Sequence, residues 1–411
     1  VNLKIVKDLV LNNLSQGLQF GLQWVLNIVI LSILGMDFFG SFSFYYSIAN
    51  FLMPILPFGS FVFLMKKEFD NQEDAAKELA VSFQLQLLFF GVISICSSIF
   101  WFFYPGEENF GLLVVALLNG YFLSLNTLMF IFHKSLGDFK IELVVNLFKS
   151  LLIGGLIVGV YLLPQVSVLG VLIVLLLINS ITFFLTFLKS NVLKMNYIKL
   201  FFRFDYKLLK RQFTDQKYYG LQDILTVSFV QGGMLLLPLL VINEIYGMYR
   251  GLLLIVAPFG LLNLTFSQVL LNQLKSKTAI EKGQLFHLMQ KIAVGILLIV
   301  LVVMYVLRAF VMEKIAKVEL NEETNLAFIG LCIVIVSSFV YSGYEMLLVA
   351  LNKQKMRLSI MIVGATANMI AIFSLLPQFG LLGAISTNVI SSVIVFISIM
   401  WIAERELKRS Y

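Results

Sequence analysis

Charge is what this chain has least of. Asp, Glu, Lys and Arg make up 13% of its 411 residues, against ~25% in a soluble domain. So few charges cannot clothe a water-facing surface, which excludes a cytosolic enzyme and a nucleic-acid binder. Cysteine is almost as scarce: Cys96 and Cys332 lie far apart inside apolar runs, which rules out a disulfide scaffold and a metal knuckle. The two histidines, His133 and His287, sit in separate polar connections and share no ligand spacing. A phosphate-binding loop of the form G-x-x-x-x-G-K-S/T is missing, so ATP is not hydrolysed by that route. No nucleophile, base and orienting group cluster together. The one candidate for a catalytic loop, residues 311–324 with Glu313, Glu319, Glu322 and Glu323, is short. No enzymatic activity, metal or cofactor is expected. No cleavable signal peptide is evident, because the first apolar run is long, studded with amides and followed by no small-residue cleavage site.

What the chain does contain is apolar sequence, 60% of all residues. A bilayer-spanning helix consumes ~20 mostly apolar residues, so the composition suffices for about a dozen. Backbone groups in lipid must be satisfied internally, which makes the long runs helices. Spans are expected near 11–34, 42–65, 79–103, 110–132, 141–163 and 166–188, then near 221–242, 246–271, 287–310, 325–351, 358–376 and 381–402.

Lys and Arg set the orientation. With a cytoplasmic N-terminus, 24 basic residues fall in the inside segments and only Lys314 and Lys317 fall outside. Both termini are therefore expected in the cytoplasm, and the same count supports twelve spans. The largest inside segment, 189–220, is basic with interleaved aromatics such as Phe201-Phe202-Arg203-Phe204. It reads as a surface helix resting on anionic lipid; a simple polar linker is the competing reading.

The two halves echo each other. Gly17-Leu18-Gln19 opens the first span and Gly220-Leu221-Gln222 the seventh; Phe39-Gly40 precedes the second and Tyr246-Gly247 the eighth. Leu163-Pro164 with Gly170 is matched by Leu376-Pro377 with Gly383. Their common order argues for a duplicated six-helix unit, residues 1–188 and 221–411 flanking the linker 189–220. Six helices is an even number, so the repeat is parallel, with a central cleft expected between the bundles.

Polar residues inside spans narrow the function. Asn12, Gln16, Gln19, Gln23 and Asn27 recur every three or four residues along the first span, which puts them on one helix face. Five amides cannot face lipid. A wet, cleft-lining stripe is the favoured reading over hydrogen bonding between helices. Lys149 lies ~12 Å into span five at 1.5 Å per residue, deeper than snorkelling comfortably covers, and so should meet an anion or a water-filled cavity. Arg250 lies one turn into span eight, where a cavity position competes with snorkelling. Together the two cations suit an anionic cargo such as a phosphate or diphosphate. Asp223 and Glu345 could couple transport to an ion or simply pair with interfacial lysines. Lys291 and Arg308 read as interfacial anchors. Pro54, Pro57, Pro238 and Pro258 sit inside spans, where each removes a backbone hydrogen bond and permits a bend.

Twelve spans in two parallel sixes, the amide-rich first helix and the paired Phe39-Gly40 and Tyr246-Gly247 resemble the polysaccharide-flippase (Wzx-type) branch of the multidrug/oligosaccharidyl-lipid/polysaccharide exporter superfamily. The segment Leu376-Pro377-Gln378-Phe379-Gly380-Leu381-Leu382-Gly383-Ala384 is similar to that family's turn between its last two helices. The resemblance implies an all-α fold of two pseudo-symmetric bundles around a V-shaped cleft with cationic lining. It also implies the flipping of undecaprenyl-diphosphate-linked oligosaccharide, an O-antigen or lipopolysaccharide precursor, across a bacterial inner membrane, with ion-gradient coupling. The partners implied are the lipid-linked substrate, membrane lipids and other polysaccharide-assembly proteins. A multidrug exporter is the alternative; it would favour an acidic, aromatic cavity.

Overall fold

The computed structural model describes residues 3–409 apart from 68, 70–71, 104–109, 164, 191–200, 202–203, 238–239, 242, 275–276 and 352. Every regular element among the described residues is helical: α1 (Leu3–Ile55), α2 (Ser60–Lys66), α3 (Gln72–Phe103), α4 (Phe110–Ser135), α5 (Lys140–Leu162), α6 (Val168–Lys189), α7 (Tyr206–Leu236), α8 (Asn243–Leu274), α9 (Ala279–Val306), α10 (Glu322–Ala350) and α11 (Gln354–Arg409). Short α- and π-helical turns at Arg308–Phe310 and Val311–Ala316 lie between α9 and α10. Eight helices are long and apolar enough to cross a membrane among the described residues. This is a multi-pass, all-helical membrane protein.

Two of those helices are compound. In α1 two helices meet at Gly35 (φ 86°, ψ 175°), and in α11 two meet at Gly380 (φ 49°, ψ −119°). Both conformations are open in practice only to glycine, and both fall where the hydropathy places short connections, after spans one and eleven. The second expected span also breaks early. Pro57 has no N–H to continue the ladder, Phe58 (φ 45°) and Gly59 (φ 83°) turn left-handed, and the chain resumes as α2. The Phe58 ring is held there by stacking on Phe89 at 4.8 Å and Phe213 at 5.0 Å. A side chain at Gly220 would strike that ring at 2.7 Å, so glycine is required where the seventh span opens.

The chain divides into two compact units, Val1–Val29 with Ser41–Val227, and Ile30–Gly40 with Ser228–Tyr411. In the first, Leu79, Leu128, Met129 and Phe132 anchor an apolar core. The helices α4 and α6 are tied by amides: Asn126 donates to the Asn179 carbonyl at 2.9 Å, Asn179 to Asn119 at 3.0 Å, and Asn119 to the Leu172 carbonyl at 2.9 Å. The second core gathers Phe286, Leu347, Ile360, Val395 and Ile399. Here Gly247 packs its bare Cα against the Met36 carbonyl, and Phe39 and Tyr246 are fully buried. The paired aromatic-glycine steps of the sequence are thus packing devices. On α9, Ile292, Ile296, Ile299, Val303 and Val306 stay exposed. Their i, i+4, i+7 spacing makes one apolar face suited to acyl chains.

The expected linker 189–220 falls partly outside the described residues. Its second half is the start of α7, which runs unbroken into the seventh span. Asp205 caps it, accepting from the Lys207 and Leu208 amides at 2.9 and 3.2 Å. That half docks within the first unit: Arg211 pairs with Glu78 at 2.9 Å, Gln212 donates to Ser82 at 2.7 Å, and Ser60 donates to Gln216 at 3.3 Å.

Candidate functional site

The most informative polar face lies on α5. Glu142, Val145, Asn146, Lys149, Ser150, Ile153, Leu156 and Val160 are its buried residues. They recur every three or four positions, so they form one stripe. Val144, Leu147, Phe148 and Leu151 are exposed on the opposite side, Leu151 by 75%. A helix with one apolar outer face and one polar inner face has its rotation settled, and that rotation turns Lys149 inward. Lys149 is 8% exposed.

The surroundings of Lys149 explain why its charge stands alone. Glu142 is the nearest acid on its own stripe, and Lys134 at the end of α4 already holds it at 2.6 Å. Asn146, one turn away, donates to Ser15 at 2.8 Å and approaches Gln19 at 3.5 Å. This joins the α5 stripe to the amide face of α1. Among the described residues Lys149 has no ion-pair or hydrogen-bond partner. An ammonium so placed is costly unless an anion or water reaches it.

Of the five-amide stripe, Gln19, Gln23 and Asn27 are half-buried. The side chains of Asn12 and Gln16 lie outside the described residues. Gln19 meets Asn146, and the Gln23 amide nitrogen is enclosed without a hydrogen-bond partner. Within the described residues the stripe thus carries one interhelical contact, at Gln19, and one enclosed amide, at Gln23.

In the second unit Arg250 is half-buried on α8. Its Nη1 lies 2.7 Å from the Met234 sulfur, and its Nε is enclosed without a partner. No carboxylate pairs with it among the described residues. Arg308 lies 4.5 Å over the Tyr305 ring and donates to the Tyr305 carbonyl at 3.1 Å. Glu345, 12% exposed, forms an ion pair with Arg357. Asp223 is half-buried on α7, within the first unit. No three His, Cys, Asp or Glu side chains converge as metal ligands among the described residues.

Several of these residues escaped sequence reasoning. Ser15 and Asn146 are small polar residues in apolar helices; Asn146, three residues before Lys149, was the legible signal. The ion pairs Lys134–Glu142 and Arg357–Glu345 occupy matching helix ends in the two halves, with the signs exchanged. A search for identical residues misses such a match.

These features define a class: a multi-pass helical membrane protein with two units, glycine-jointed helices and, on α5, a buried cation turned away from the exposed apolar face. Solved structures share its fold. An inward closed lipid II flippase MurJ aligns with 98% of this chain and 90% of its own at 13% identity and TM-score 0.67. An inward-facing multidrug resistance MATE family transporter of the MOP superfamily aligns over 98% and 95% at 14% identity and TM-score 0.65. A MOP superfamily transporter from Pyrococcus furiosus, described as having a binding pocket of reverse polarity that suggests a different function, aligns over 98% and 96% at 16% identity and TM-score 0.61. No family model matches the sequence, and no curated protein does.

Proposed function

We propose that this protein is a flippase for undecaprenyl-diphosphate-linked oligosaccharide, an O-antigen or related surface-polysaccharide precursor. It has twelve spans in two six-helix halves, with both termini in the cytoplasm of a bacterium and the body in its inner membrane. The sugar head group crosses along the amide face of α1 while the lipid tail stays in the bilayer. Lys149 and Arg250 hold the diphosphate, and alternating access exposes it first to one leaflet and then to the other. An ion gradient drives the cycle through Asp223 or Glu345. Other polysaccharide-assembly proteins supply and remove the substrate.

One observation carries this reading: Lys149 is buried in a membrane helix, on a polar face, with its neighbouring acid already neutralised. A cation kept unpaired at such cost suits a negatively charged cargo. The fold shared with a lipid II flippase supports a lipid-linked one. The test is a strain lacking the gene, probed for the leaflet on which lipid-linked oligosaccharide accumulates. Trapping on the cytoplasmic side is expected, relieved by the native gene and not by the Lys149→Gln/Arg250→Gln variant. Full rescue by that variant removes the proposed cargo.

The second reading, a multidrug exporter, is favoured by the equally extensive likeness to multidrug MATE structures. It predicts loss of resistance to cationic drugs with surface glycan unchanged. The unpaired cations weigh against it, because they repel such drugs.

A further inference from the structure

The first half of α7 has a face that neither its packing nor the transport reading uses. Leu209, Gln212, Gln216 and Gly220 are buried on one side. The other side carries Tyr206, Lys207, Lys210, Thr214, Lys217, Tyr218 and Leu221, and at 3.6 residues per turn these fill a continuous arc, bounded by Phe213, which is stacked on Phe58. Tyr206 is 71% exposed and Tyr218 65%. Lys207 and Lys210 are exposed, and Lys217 lies 5.2 Å over the Tyr218 ring. No acid falls within the arc: Asp205 is spent on capping the helix, and Asp215 points away from it along the helical wheel. Arg211, at the margin, is taken by Glu78.

Length fixes the depth of this face. The 31 residues of α7 extend ~46 Å at 1.5 Å per residue, beyond the ~30 Å hydrocarbon core and about equal to the bilayer with its headgroups. Leu221–Leu236 covers only ~24 Å at that rise, so with it in the apolar layer the Lys217 end of the face lies at the headgroups and the Tyr206 end stands just outside them, over the membrane surface. Basic side chains beside Tyr rings at that level match an anionic lipid surface in charge and in polarity.

The geometry points to a binding site for anionic phospholipid headgroups on α7, with Lys207, Lys210 and Lys217 meeting the phosphate and Tyr206 and Tyr218 the headgroup and glycerol region. The site lies on the outer side of the helix whose inner side is fastened to α2 and α3, so a bound lipid would brace that docking.

The full chain, purified in detergent, is titrated with phosphatidylglycerol and with phosphatidylcholine, and bound lipid is counted by native mass spectrometry. The native chain is expected to retain phosphatidylglycerol selectively. Replacing the three lysines together (Lys207→Gln, Lys210→Gln, Lys217→Gln) should weaken it by about fivefold per charge, roughly a hundredfold in all. A control with three exposed lysines of the second unit replaced (Lys277→Gln, Lys355→Gln, Lys408→Gln) should bind like the native chain. Equal affinity in the α7 variant, or an equal loss in the control, would overturn the site. Displacement of the lipid by inorganic phosphate would overturn its lipid character, assigning the lysines to a soluble anion.

Discussion

Replacing Lys149 by methionine should make the protein more stable and useless. Methionine keeps the length and flexibility of lysine and removes the charge. In the structure the ammonium is 8% exposed, its stripe's acid is paired with Lys134, and nothing else among the described residues compensates it. Burying an ion costs several kcal/mol even after relaxation; water that reaches the ammonium offsets part of that. A net gain of about 2–3 kcal/mol follows for Lys149→Met. For a unit of this size that is a rise of at least about 4 °C in the unfolding midpoint. The assay is thermal unfolding of the purified native chain and variant at one scan rate, because large proteins often unfold irreversibly. It is paired with rescue of glycan export in the deletion strain. The expected result is a higher midpoint with no export, the trade-off of a site held in a strained state for function. A midpoint that is unchanged or lower would refute the reasoning, because it would mean that the ammonium is already well solvated or paired.

Breaking the buried Lys134–Glu142 pair by Lys134→Glu should cost about 3–5 kcal/mol in the same unfolding assay. Adding Glu142→Lys should restore most of it, because the second half already runs this contact with its signs exchanged. Gly35→Ala has open space for its methyl, so its loss of about 1–2 kcal/mol should come from the backbone alone, and an equal midpoint would show that the joint is not held at positive φ. Asn126→Ala removes one rung of the α4–α6 ladder and leaves the Asn179–Asn119 and Asn119–Leu172 rungs, so it should cost about 0.6 kcal/mol and at most about 1.7; a larger loss in a denaturant titration would show the ladder acting as one unit.

Much of the fold was legible in the sequence because hydropathy and backbone chemistry act locally. The ends of α4, α5 and α6 fall close to the expected boundaries, since a run of apolar residues bounded by Lys, Asp or Pro has few alternatives in a bilayer. Gly35 and Gly380 stand where the short connections were expected, and Pro57 marks a real break. The candidate site was legible in part. Lys149 announced itself as a lone charge in an apolar run, and Arg250 likewise.

What only the tertiary structure decided is partnership. The sequence could not say that Glu142 belongs to Lys134, leaving Lys149 alone, nor that Glu345 belongs to Arg357. Ser15 and Asn146 are 131 positions apart, and their meeting depends on how two helices are rotated about their axes. In a water-soluble helix the polar face announces that rotation. In a chain this apolar, a leucine against lipid and a leucine against protein are the same residue, so periodicity loses its voice. The continuity of α7 from Tyr206 to Leu236, and the placing of Ile30–Gly40 with the second unit, were likewise decided only in the folded structure.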